Sequence, residues 1–587
     1  MSLFEKCLSL LRLSSVSFFL ILSGPLSGAD QPLIFRNGKI VTVDPDFLIT
    51  DRMAINQGRI VAVGDEVENL VVGDSQAQVI DLKGKMVLPG LMDSHAHPVG
   101  AATYEHDHEI PDIQDIGQLL KYISHRAAIQ PQGTMISIRQ VFITRLKEQR
   151  YPTRAELDQV APKHPVVFST GPDSMLNSLA LKLAGIDRHF QVPKGSAGYI
   201  EKNADGEPTG LLRAFSASVK APAYSRNPTR EETLKHVRDL FADYNSVGFT
   251  TIADRGASGS SIETYKELKK LGQLTVRLRL SHTFPSENVS WETTEKAIDS
   301  IIAHPLREAD PMLQIIGTKI WLDGGMLTGS ALMQEPWGVS QIYGITDPQY
   351  KGVQRTASTH LTKMIRKVAD AGLQFTAHSV GDGAVKTLVD AYETVDREKS
   401  IRDSRPCITH CNFMTEESIQ KAARLGITVD LQPIWFYLDG HTLMKQFGDP
   451  RMERFQPLRK MIDAGLVVGG GSDHMQKIGS LRSVNPYNPW LGMWIAVSRN
   501  CRFLDQPLHP ENGLSRKEAI RMYTVENAKI LFLEKETGTL EKGKRADFII
   551  LDRDVLDCPV EEIRDTQVLE TWLEGRRIFL KPTQVKD

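Results

Sequence analysis

The sequence predicts an α/β fold: a (β/α)8, TIM-like barrel with a small β-sandwich domain built from both chain ends and an inserted lid or subdomain. Three observations predict it. Through the middle of the 587 residues, apolar runs alternate with amphipathic helical stretches, the pattern of βα units and a parallel sheet. Eight such runs occur, at 90–97, 248–255, 276–283, 314–325, 373–380, 406–411, 427–433 and 466–474. Both ends instead carry short strands broken by turn dipeptides such as Asn37-Gly38 and Gln57-Gly58.

The elements follow in order. In residues 1–29, Lys6 and Arg12 precede the apolar stretch Leu13–Leu22, then Ser23-Gly24-Pro25, with small Ser27 and Ala29 where a signal peptidase cuts. That apolar stretch is shorter than the roughly 20 residues a spanning helix needs, so a cleaved signal peptide and an exported, periplasmic or extracellular protein are expected. Residues 30–88 form the first part of the sandwich and 536–587 the second. Residues 89–535 make the barrel, with helices at 360–372 and 418–426, the latter ending on Gly426 as a C-cap. The stretch of about 98–245 is too long for a plain connection and is read as the insertion.

Composition sets the class of partner. Hydrophobic residues make up 41% and charged residues 24%, enough for a large core, and the net charge of −2 has no long like-charge run behind it. Nucleic acid and an anionic membrane are therefore not expected partners, and after signal cleavage no stable membrane span remains. A homodimer is compatible with the sequence. Cys407, Cys411, Cys501 and Cys558 lack CxxC spacing and read as buried free thiols.

Chemistry gathers at the strand ends. His95 and His97 stand two apart on the first strand and so share a face. Lys319 lies in the apolar fourth strand, while His378, His410 and Asp473 end the fifth, sixth and eighth. Taken singly, each has an ordinary structural explanation: a hydrogen-bonded histidine, a helix cap for Asp473, an ion pair with Asp323 for Lys319. Their joint arrival at the catalytic face of one barrel is what a borderline divalent metal such as zinc requires. Trp435 follows the seventh strand, where pocket walls are built, and is read as lining the substrate site or packing a loop. Gly469-Gly470-Gly471 lacks the Lys of a phosphate loop and is read as allowing close backbone packing.

The stretch VLPGLMDSHAHP, with Lys319, His378, His410 and Ser472-Asp473-His474, resembles the amidohydrolase superfamily, and more narrowly its amidohydrolase-3 branch. TKIWLDGG, AHSVGDGAV and GTLEKGKRADFIILDRD carry the same likeness, which runs from about residue 33 to 580. The resemblance implies two divalent ions, zinc with manganese or iron as alternatives, bridged by a carboxylated Lys319. It places His95, His97 and Asp473 on one ion and His378 and His410 on the other, with Asp473 as the catalytic proton carrier. One departure stands out: Asp173, in the segment running to Asn177-Ser178, replaces a histidine that relatives hold near substrate. Asp173 and Asn177 are accordingly read as touching substrate, with a surface Asx-turn as the other reading of Asp173.

The function expected is metal-dependent hydrolysis of a non-peptide, amide-like C–N bond in a small molecule. The alternatives are ester hydrolysis or deamination on the same site, or an exported binding protein without catalysis. Deaminase relatives often lack the lysine, which weighs against deamination, and no ligand is lost, which weighs against a non-catalytic protein.

Overall fold

The computed structural model describes residues 31–71, 77–139, 141–170, 173–193, 198–215, 217–224 and 226–582. The signal-peptide segment, with its cleavage point, lies outside the described residues, as do Gly171 and Pro172 of the Asp173 segment.

Eight parallel strands form the central sheet: β1 Leu91–Ala96, β2 Phe249–Ala257, β3 Arg277–Thr283, β4 Leu313–Trp321, β5 Gln374–Ser379, β6 Cys407–His410, β7 Thr428–Leu431 and β8 Val467–Gly470. Neighbours in sequence are neighbours in the sheet. Beyond β8 the chain returns to β1: Asp473 N donates to His95 O at 2.8 Å, and His97 N donates to His474 O at 2.8 Å. These bonds bring Asp473 beside the two histidines. The predicted eighth strand, 466–474, ends at Gly470, four residues earlier than expected, and beyond it Asp473 takes a left-handed backbone, φ 54°.

Side-chain patterning explains the outer layer. In the helix Ser358–Asp370 the buried residues Leu361, Met364, Ile365 and Val368 follow the one-face helical spacing. The helix Glu416–Leu425 starts on a Thr415 cap and ends on Gly426 at φ 69°, as the sequence led one to expect. The three glycines before Ser472 are needed for packing. An added Cβ would lie 2.1 Å from Asn527 Oδ1 at Gly469, 2.6 Å from the Tyr523 ring at Gly470 and 2.9 Å from Ser94 Oγ at Gly471. Cys407, Cys411 and Cys501 are buried free thiols, and Cys558 is a half-buried one.

Both chain ends meet in one six-stranded sheet, where Phe548–Leu551 pairs antiparallel with Met86–Pro89. A second, four-stranded sheet holds Leu33–Arg36. Phe35 from that sheet packs edge-on to Phe548 and Trp572 of the other, with centroids 5.1 and 5.4 Å apart. Between β1 and β2 a separate five-stranded sheet contains Ile136–Arg139, Val166–Thr170, Asp173–Leu176, Tyr199–Lys202 and Pro208–Arg213. The helix Arg230–Ser246 that follows belongs with the barrel, since Tyr244 packs on Phe249 and Phe241 on Tyr265. Among the described residues no helix is long and apolar enough to cross a membrane.

Candidate metal centre

The strand ends deliver their side chains to one cavity of about 500 Å³, whose lining includes His95, His97, Lys319, His378, His410 and Asp473. His95 Nε2 lies 3.3 Å from His97 Nε2, and Asp473 Oδ1 is 3.4 Å from the first and 3.2 Å from the second. One donor atom from each of these three residues lies within 4.8 Å of the others.

Partners behind the rings decide which nitrogens are bare. His95 Nδ1 faces Asp430 Oδ1 at 3.1 Å, so it carries the proton and Nε2 presents a lone pair. His410 Nδ1 donates to Gln432 Oε1 at 2.8 Å, which leaves its Nε2 bare. His378 reverses the pattern: Nε2 donates to Gly324 O at 3.1 Å, leaving Nδ1 free. The His410 ring is 4.5 Å from that of His378 and 4.8 Å from that of His95, centroid to centroid.

Burial keeps these imidazoles neutral. His378 is pushed down to about 3 by desolvation, helped by the Lys319 charge. His95 and His410 are held well below the ordinary histidine range by desolvation, then by Lys319 and by His378 respectively. Lys319 itself, 1% exposed, is lowered to about 8 by desolvation against the pull of Asp430 and Asp473. The Asp473 carboxyl is raised by burial, opposed by His97. The His95 lone pair, the His97 ring nitrogen and the Asp473 carboxylate oxygen crowd together, with at most a proton on His97 to relieve the repulsion among them. A divalent cation among them removes the repulsion, and nitrogen and oxygen donors suit such an ion.

Beneath the site the barrel is polar. Arg255 on β2 pairs with Asp430 at 3.2 Å and donates to Ser281 Oγ and Gln374 Oε1 at 2.9 and 2.6 Å. Asp430 thus joins His95 to a buried cation. Asp430 and Gln432 were missed in the sequence. Their signal was present: in ITVDLQP the polar residues Thr428, Asp430 and Gln432 alternate with apolar ones, hence on one face of a strand.

Of the expected substrate residues, Trp435 lines the cavity and stacks on the His410 ring at 4.8 Å and 15°. Asp173 and Asn177 do not line it, which corrects the sequence expectation. Asp173 is 1% exposed and both its oxygens are committed: Oδ1 accepts from Ala214 N at 2.8 Å, and Oδ2 accepts from Arg213 Nη1 at 2.8 Å and Tyr151 OH at 3.3 Å. Asn177 caps the helix Ser178–Leu183, accepting from Ala180 N and Val166 N and donating to His164 O. A buried, fully bonded amide at a cap has nothing left for a ligand. Trp321 comes to the wall from the end of β4, while Phe142, Leu327, Arg355 and Met475 gave no sequence signal, because connecting loops bring them together.

A sequence model of the amidohydrolase family matches residues 78–579. The chain belongs to the amidohydrolase family. It is 28% identical over 558 residues to N-substituted formamide deformylase of Arthrobacter pascens, covering 93% of this chain and 98% of that protein. Among solved structures, an uncharacterized metal-dependent hydrolase from Pyrococcus horikoshii OT3 superposes with a TM-score of 0.65 at 20% identity, covering 90% of this chain and 99% of that one. Its counterpart from Pyrococcus furiosus gives 0.62 at 20% identity, covering 90% and 100%. These neighbours share the overall fold. For this amidohydrolase the barrel supplies the frame, and the histidines with Asp473 supply a group suited to a metal ion.

Proposed function

We propose that this amidohydrolase cleaves a non-peptide, amide-type C–N bond of a small molecule outside the cytoplasm, with two divalent ions, zinc by preference, and a carboxylated Lys319. The observation that carries the reading is the convergence of the His95 and His97 ring nitrogens with Asp473 in a cavity that Lys319, His378 and His410 also face. The 28% identical deformylase acts, by its name, on a substituted formamide, which supports a C–N bond as the target.

His95, His97 and Asp473 would hold one ion, and His378 and His410 the other. A protonated lysine has no lone pair to offer a metal. The lowered Lys319 amine can add CO2, releasing one proton to give a carbamate, which, unlike the protonated amine, would have oxygens able to serve as metal ligands. When bound, such ions acidify a water and polarise the scissile carbonyl. Asp473 directs Oδ1 toward the two histidines, leaving Oδ2 to take the water's proton and pass it to the departing amine. Phe142, Trp321, Leu327, Trp435 and Met475 exclude water and accept an apolar substituent.

Zinc- and manganese-loaded protein assayed against N-formyl amines, N-acyl amines and N-acyl amino acids tests the reading. Release of free amine that stops on chelation is expected. Turnover of esters alone, or loss of ammonia from amines alone, would overturn the assignment of the bond.

A further inference from the structure

Asp473 is held in a backbone conformation that few non-glycine residues adopt, φ 54°, and such a conformation persists only where its surroundings fix it. Its amide is fixed by His95 O. Its carbonyl accepts from Asn485 Nδ2 at 2.8 Å, and Asn485 is fully buried. Asn485 is in turn held from the inserted segment: Arg145 Nη1 donates to Asn485 Oδ1 at 3.2 Å and to the neighbouring Val484 O at 2.6 Å. The other edge of the same guanidinium grips Asp439, Nη2 to Oδ2 at 2.8 Å and Nε to Oδ1 at 3.2 Å, with Thr144 Oγ1 adding a bond at 3.0 Å. Asp439, fully buried, lies on the helix Pro433–Phe447, whose first turn carries the cavity-lining Trp435. Below the guanidinium, 5.0 Å from its carbon, is the ring of Phe142, another wall of the cavity.

We infer that Arg145 and Asn485 are positioning residues, through which the inserted segment sets the carbonyl of Asp473 and with it the aim of the catalytic carboxylate. One planar cation spans three pieces that the chain places far apart: the Phe142 wall, the Trp435 helix and the loop after β8. A fork that donates from both edges can do this; a lysine's point charge can pair with Asp439 but cannot hold Asn485 and Val484 as well. The inference rests on the reading of Asp473 as the proton carrier.

The test uses the full chain, zinc-loaded, with an amide the wild type hydrolyses. Asn485→Ser is expected to lower kcat tenfold or more, with KM within about twofold and metal content and melting temperature close to wild type. Arg145→Lys keeps a partner for Asp439, so the fold stands, and should lower kcat in the same way. The double variant should fall little further than the worse single one, because both act through one chain of bonds. Wild-type kcat in folded, metal-loaded Asn485→Ser and Arg145→Lys would overturn the inference. So would a kcat loss that merely tracks lost metal or lost folded protein, since that is a structural role only. Should Asn485→Ser not fold, Arg145→Lys alone decides by the same kcat-against-KM criterion. Asp473→Asn, measured beside them, separates the two readings. If it stays active, the assignment of Asp473 has failed. If it is inactive while the other variants are not, only the positioning role has.

Discussion

Lys319 offers a chemical prediction with a magnitude. CO2 reacts with a neutral amine, so the fraction of Lys319 that is uncharged governs how readily the bridge forms. Lowering the group from 10.5 to about 8 raises its neutral fraction at pH 7 from roughly 0.03% to roughly 9%, about 300-fold. Protein stripped of metal and CO2 should therefore regain activity on adding zinc with bicarbonate far faster than with zinc alone. Between pH 6 and 7.5, at fixed dissolved CO2, the initial rate of reactivation should climb close to tenfold per pH unit, flattening as pH passes about 8. Lys319→Ala should bind at most one ion tightly and lose activity, with partial rescue by a short-chain carboxylic acid that replaces the carbamate. Metal content by elemental analysis and the reactivation time course are the assays. Full activity in Lys319→Ala, or reactivation indifferent to bicarbonate, would refute the reasoning.

Other outcomes follow from the same geometry. In metal-free protein the buried imidazoles of His378, His95 and His410 should contribute stability that is lost as pH falls from about 6.5 toward 3, because the unfolded chain protonates them there and the folded chain does not; the carboxyls of Asp93 and Asp323, raised by burial to about 7, contribute in the opposite direction. Chemical denaturation of the wild type beside His378→Asn at several pH values measures this, and the same pH slope in both would count against a buried neutral imidazole at His378. Asp430→Asn leaves Arg255 buried without its carboxylate and His95 without its anionic acceptor. It should cost about 3–5 kcal/mol of stability and weaken metal binding about 10–100-fold, read by denaturant melts and metal titration. Protein exported by the producing cell should begin at Asp30, which N-terminal sequencing decides; an intact Met1 on soluble cytoplasmic protein would remove export from the account.

How much was legible beforehand follows chain locality. A strand's apolar run and its terminal polar residue are contiguous, so the eight barrel strands were readable, and so was the meeting of His95, His97, Lys319, His378, His410 and Asp473 at one cavity. Asp173 and Asn177 misled, because sequence places a residue beside its neighbours without saying whether its polar atoms are already spent. Here Arg213, 40 residues later, takes up Asp173. The cavity wall was illegible for a related reason: Phe142, Leu327, Arg355 and Met475 belong to separate connections, and no periodicity announces where a loop side chain points. The left-handed turn at Asp473 was also hidden, since aspartate there is permitted but not demanded by any local pattern.

The central claim is that Asp473 moves the proton in a metal-dependent amide hydrolysis, and Asp473→Asn measures it most directly. Asparagine keeps the shape and an oxygen for the metal but cannot carry a proton at neutral pH. In zinc-loaded protein with wild-type metal content and melting temperature, kcat for an amide substrate should fall by about 10²–10⁴-fold with KM moving little. Near-wild-type kcat in that folded, loaded variant would contradict the account.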